Sequence, residues 1–178
     1  MQMVRFALAG LALLALGGAA GAEEDNSALL VDLFAKICAP KPARPSQVER
    51  IAGGLGFVSD GGPITAEMER GPKIDILYMA KLMRRGERLG SMTAYFAGPD
   101  DGPSVTCTVS AVGVSADALP GLIETSLKAG ERTDKPSKDD NLRLASWRTG
   151  AGDTLDMSVW RTSPQRASIT INYYADKR

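Results

Sequence analysis

The sequence predicts an α+β fold: N-terminal helices packed on an antiparallel sheet that ends in a three-stranded meander, with one helix inserted between the strand groups. Three observations carry that expectation. Apolar residues recur with helical period near the start, at Leu29, Leu33 and Ile37, with Leu30, Phe34 and Cys38 beside them. Over the last third they alternate with period two, the mark of strands with one buried face. Between the two regions, Leu119, Leu122, Ile123 and Leu127 form the stripe of a further helix.

Residues 1–22 read as a secretory signal. Arg5 precedes an apolar run from Phe6 to Leu16, and small residues then lead to an Ala20-x-Ala22 cleavage site before Glu23-Glu24. The run is too short to cross a hydrocarbon core of about 30 Å, so the mature chain is not expected to span a membrane. Residues 23–178 then form a single α+β domain of ordinary size, periplasmic or secreted.

The first helix is expected over about 27–38, capped by Asn26 or Ser27 and stopped by Pro40, Pro42 and Pro45. Ser46-Gln47-Val48-Glu49 has the form of a capping box and opens a short helix through Ile51, ended by Gly53-Gly54-Leu55-Gly56. Residues 59–72 are rich in Gly and Pro and read as a long loop, with room for one helical turn at Thr65. Lys73–Arg85 admits two readings. Ile74, Leu77, Tyr78 and Leu82 suit a helix ended by Arg84-Arg85-Gly86, whereas Ile74, Ile76 and Tyr78 suit a strand; the helix is preferred.

Met92–Ala97 and Ser104–Val112 are expected strands joined by the turn-forming stretch Gly98–Pro103. In the second, Val105, Cys107 and Val109 share one face, and Thr106, Thr108 and Ser110 the other. Ser115 is the cap of a helix reaching about Ala129, and 130–140 is a charged loop.

Strands at about 141–149, 154–162 and 166–174 close the chain. A two-residue turn at Ala151-Gly152 would pair Leu144 with Val159 and Ser146 with Met157, placing Arg143 opposite Trp160 and Trp147 opposite Asp156. A three-residue loop, Ser163-Pro164-Gln165, would pair Val159 with Ile169 and Met157 with Ile171. One parity serves both hairpins.

Composition removes several function classes. The chain has no His and two Cys among 178 residues, with 21 Lys+Arg against 21 Asp+Glu. Ser-His-Asp and Cys-His catalysis, His-ligated metals and Cys-held clusters therefore find no residues to build them. Balanced charge argues against nucleic acid as a partner. No phosphate loop, dinucleotide fingerprint or nucleophile elbow occurs, and nothing calls for a cofactor. The carboxylate pairs Glu67/Glu69, Asp100/Asp101 and Asp139/Asp140 could serve glycoside cleavage, but each lies in a polar stretch where solvated turn residues are the commoner explanation.

Cys38 and Cys107 both fall on apolar faces, one of a helix and one of a strand. In an exported chain that favours one disulfide between them. No C-x-x-C pattern supports a redox-active pair.

Two surfaces remain as binding candidates. Lys81, Arg84, Arg85 and Arg88 form the densest basic patch, read either as helix-terminal charge or as a contact for an anionic surface. Arg143, Trp147, Trp160 and Tyr174 would line the outward face of the meander, beside Thr154, Asp156, Ser158, Thr170 and Asn172. Aromatics among such groups stack on sugars or anchor a protein partner; paired residues on a wet sheet are the plainer alternative.

The layout resembles small exported proteobacterial proteins of unknown function. The resemblance rests on the signal, on Ile37-Cys38-Ala39-Pro40 in an early helix before a Pro-rich turn, and on Val105-Thr106-Cys107-Thr108-Val109 in a later strand. It implies export and a disulfide and brings no catalytic residues. The sequence thus points to an exported, non-catalytic binding or accessory protein whose partner is another envelope protein or a glycan. An envelope hydrolase working through loop carboxylates is the alternative.

Overall fold

The computed structural model describes residues 25–42, 44–61, 64–67, 74–97, 103–162 and 164–174; the expected signal segment lies outside them. Among the described residues the chain forms α1 (Ser27–Ile37), α2 (Pro45–Gly54), β1 (Phe57–Ser59), β2 (Ile64–Glu67), β3 (Ile74–Arg84), β4 (Glu87–Phe96), β5 (Pro103–Val112), α3 (Leu119–Ser126), β6 (Arg132–Lys135), β7 (Leu142–Arg148), β8 (Thr154–Trp160) and β9 (Arg166–Tyr174). The nine strands make one antiparallel sheet in the order β1-β3-β4-β5-β9-β8-β7-β6, with β2 also paired to β3.

Helix α1 buries Leu30, Phe34 and Ile37, the stripe its period requires. Asn26 is the N-cap, as expected, but makes no side-chain capping bond. The Asp25 carboxylate accepts from the Ser27 backbone N–H at 2.9 Å and from the Ser27 hydroxyl at 2.5 Å. Those two bonds and a third from the Ser115 N–H hold the Asp25 carboxyl below its usual range. Asn26 instead reaches β5, its amide donating to the Val112 carbonyl at 2.9 Å.

The helix α2 starts two residues earlier than the capping box would place it. Arg44 is its N-cap and Pro45, whose missing N–H is no loss in a first turn, occupies the first helical position. Ser46 therefore lies inside the helix and is not its cap.

The segment 73–85 is a strand, not the preferred helix. Tyr78 and Ala80 are buried at alternate positions, and β3 finds partners on both sides, β1 and β2 on one and β4 on the other. Arg85 and Gly86, read as a helix end, form a two-residue hairpin turn with φ of 53° and 84°. Two successive positive φ values are what a hairpin turn matched to strand twist requires. β1 and β2 correct the expected loop at 59–72, so Thr65 belongs to a strand. Likewise β6 is an edge strand within the expected loop at 130–140, pairing Arg132 with Trp147 and Lys135 with Leu144.

Strand β5 alternates as expected, with Val105, Cys107 and Val109 buried. The disulfide Cys38–Cys107 is present, with Cα atoms 5.5 Å apart, joining the end of α1 to a central strand. Before α3 the Ser115 hydroxyl accepts from the Ala118 N–H at 3.2 Å. Leu119 and Ile123 are fully buried on that helix.

The closing strands occur where expected, but their register differs. Thr149 and Asp153 close a loop of Gly150, Ala151 and Gly152, the last with φ of 83°. That single extra loop residue shifts the pairing by one, so Trp147 faces Leu155 and Arg143 faces Val159. Every β7 side chain changes face as a result. The second hairpin pairs Met157 with Ile169 and Val159 with Ala167, a shift of two that preserves the faces of β8 and β9.

Candidate functional site

The sheet has a core face and an open face. On the open face the register sets four serines abreast, Ser91 on β4, Ser110 on β5, Ser168 on β9 and Ser158 on β8. The adjoining row reads Thr93, Thr108, Thr170 and Asp156. These rows arise from alternation in sequence, since every second residue of β5 from Thr106 to Ser110 and of β9 from Ser168 to Asn172 is small and polar. Several are paired laterally: Ser158 with Ser168 at 2.7 Å, Thr108 with Thr170 at 2.9 Å, and Thr106 donating to Asn172 at 2.9 Å.

At one end this surface deepens into a groove of about 370 Å³, in which the four serines meet Arg88, Trp160 and Arg166. Trp160 is 42% exposed and stands directly across from Arg166 on the neighbouring strand. The same two residues line an adjoining concavity of about 360 Å³ with Thr162 and Pro164. Arg84, Arg85, Glu87 and Arg88 line a smaller one that shares Arg88 with the groove. Among the described residues, neither Arg88 nor Arg166 has a carboxylate within ion-pair distance, whereas Lys81 pairs with Asp60 at 2.7 Å. The groove is thus cationic, with one aromatic wall and a hydroxylated floor.

The expected meander face is split by the register. Trp147 is 1% exposed on the core face, its indole N–H donating to Glu124 at 3.4 Å, and cannot contact a ligand from the open side. Arg143 shares that face and donates to the Ala116 carbonyl at 2.9 Å, so it does not stack on Trp160. Tyr174 is on the open face but eight residues along β9 from Arg166, roughly 27 Å away. Only Trp160 of those four reaches the groove. Of the basic patch, the helix-terminal reading falls because the residues sit on the β3–β4 hairpin, and Arg88 alone joins Trp160.

Of the groove, Arg166, Ser91, Ser110 and Ser168 were missed in sequence, whereas Ser158 was placed on the outward face. The alternation Thr106-x-Thr108-x-Ser110 and Ser168-x-Thr170-x-Asn172 was the available signal. What it lacked was the strand order that sets those rows side by side.

The carboxylate pairs do not converge among the described residues. Glu69, Asp100 and Asp101 lie outside them, and Asp139 sits in an exposed turn, accepting from the Asn141 N–H at 2.8 Å. No cluster of His, Cys, Asp or Glu suited to a metal occurs among the described residues. No family model, no curated protein and no solved structure matches the chain.

Proposed function

We propose that the chain is an exported, non-catalytic binding or accessory protein of the bacterial periplasm or exterior, and that the open-face groove binds an anionic glycan. The observation that carries the reading is the meeting of Arg88, Trp160 and Arg166 around one hydroxylated groove. An exposed indole stacks on the C–H face of a sugar ring, serine hydroxyls exchange hydrogen bonds with ring hydroxyls, and guanidinium groups take carboxylates or phosphates in bidentate fashion. Export is supported by the disulfide, which persists in oxidising compartments, and by the signal-like residues 1–22. Among the described residues no helix is long and apolar enough to cross a membrane. The N-terminal helices belong to this reading as the cover of the core face, a role supported by the disulfide and by the bond from Asn26 to Val112.

Fluorescence provides the test, because Trp147 is buried and Trp160 is the other of the two tryptophans. Titration with polygalacturonate should shift or quench the Trp160 emission to saturation, and added salt should weaken the response. Neutral dextran should leave it unchanged. The double variant Arg88→Gln/Arg166→Gln should lose the response while retaining its far-ultraviolet circular dichroism. Equal responses to dextran and polygalacturonate, or none to any acidic glycan, would overturn the proposal. Pelleting with anionic vesicles but no glycan response would assign the same cationic end to a lipid surface instead.

A further inference from the structure

A second cleft, of about 590 Å³, opens on the core side of the sheet where the β7–β8 turn meets the end of α1 and the residues after α3. Its volume lies within the range of small-molecule pockets, about 300–1,000 Å³. Phe34, Leu127, Leu155 and Ile171 supply apolar lining. Three polar groups stand among them. The Thr149 hydroxyl is shielded from solvent and has no hydrogen-bond partner. Lys41 and Asp153 are both stationed on Tyr174: the ammonium donates to its carbonyl oxygen at 3.2 Å, and the carboxylate accepts from its N–H at 3.3 Å. In an extended residue those two backbone groups point to the same edge of the strand. The opposite charges are therefore held side by side, yet they do not form an ion pair with each other.

We infer that this cleft binds a small zwitterion with an apolar side chain, of amino-acid or dipeptide size. The ligand's carboxylate would accept from Lys41, its ammonium would donate to Asp153, and its side chain would cover the apolar lining. A purely anionic amphiphile would meet the Asp153 carboxylate, and a purely cationic one would meet Lys41. A zwitterion satisfies both charged groups.

The disulfide-intact protein, uniformly labelled with nitrogen-15, tests this directly. Leucyl-leucine at millimolar concentration should shift the amide resonances of Thr149, Asp153 and Tyr174 to saturation. Blocking both ends, as N-acetyl-leucyl-leucinamide, should weaken binding by about tenfold or more. Lys41→Gln and Asp153→Asn, each of which removes one charge, should each do the same, whereas Trp160→Ala should leave the titration unchanged. That last control separates this cleft from the open-face groove. Equal binding of the blocked dipeptide, preferential binding of decanoate, or no saturable shift with leucyl-leucine would each overturn the assignment.

Discussion

The hydroxyl of Tyr173 donates to the carbonyl oxygen of Cys38 at 2.5 Å, so the last strand of the sheet grips the residue that the disulfide also holds. It shares that proton with the Ala39 carbonyl at 2.8 Å, and Lys41 lies 5.6 Å above the ring. The chain leaving α1 is thereby tied to β9 as well as to β5.

Tyr173→Phe should cost about 1–2 kcal/mol, since it leaves a buried carbonyl short of a donor. It should also change the alkaline limb of stability. Burial, with the Asp153 carboxylate adding to it, pushes the Tyr173 phenol up to about 12. A phenol raised in the folded state contributes stability that is whole below its unfolded value near 10 and is lost as pH climbs towards 12. Urea unfolding at pH 8 to 12 should show that decline in the parent protein and a shallower one in the variant.

Reduction of Cys38–Cys107 should destabilise the fold by about 4 kcal/mol on the chain-entropy model. The bond closes a sequence separation of 69 residues, and the reduced chain regains that freedom when unfolded. Denaturant midpoints with and without reductant measure the difference, and identical midpoints would show that the bond constrains nothing.

Arg85→Asn should stabilise the protein by about 0.5–1 kcal/mol. Arg85 holds a left-handed φ of 53° in the β3–β4 turn, a conformation that Asn before Gly accepts more readily than a long side chain. The gain should appear as a higher melting temperature.

Thr149→Val should raise stability by about 1 kcal/mol, because the methyl replaces a buried hydroxyl that has no partner. Urea unfolding midpoints of parent and variant measure the gain, and equal midpoints would show that the hydroxyl costs nothing.

The register itself is open to test through its two tryptophans. Trp147→Ala, at 1% exposure, should cost about 3–5 kcal/mol, whereas Trp160→Ala, at 42%, should change stability by well under 1 kcal/mol. Similar losses would mean that the two residues share an environment, contrary to the pairing of Trp147 with Leu155.

Much of the fold was legible in local pattern. The alternation in 104–112 assigns the faces of β5, the helical period at Leu29, Leu33 and Ile37 identifies α1, and the apolar placement of Cys38 and Cys107 anticipates their bond. Where two patterns coexist, local sequence was silent. β7 carries Leu142 and Leu144 on one parity and Ala145 and Trp147 on the other, so either face could have been the buried one. The loop of Gly150, Ala151 and Gly152 and the packing of Trp147 near Glu124 of α3 decide it. The segment 74–84 was ambiguous for a related reason, its period fitting a helix and a strand alike until β1, β2 and β4 supply partners for its backbone.

The candidate site divides along the same line. By itself the sequence determined which residues could do chemistry: no imidazole, two cysteines fit to pair, a basic run at 81–88 and an aromatic near the end of a strand. It could not determine that Arg88 and Trp160 share a groove, because they lie on β4 and β8, separated in the sheet by β5 and β9. Strand order is a global property, set by which pairings bury the most apolar surface while satisfying every backbone group. Only the assembled sheet brings such distant residues to one place.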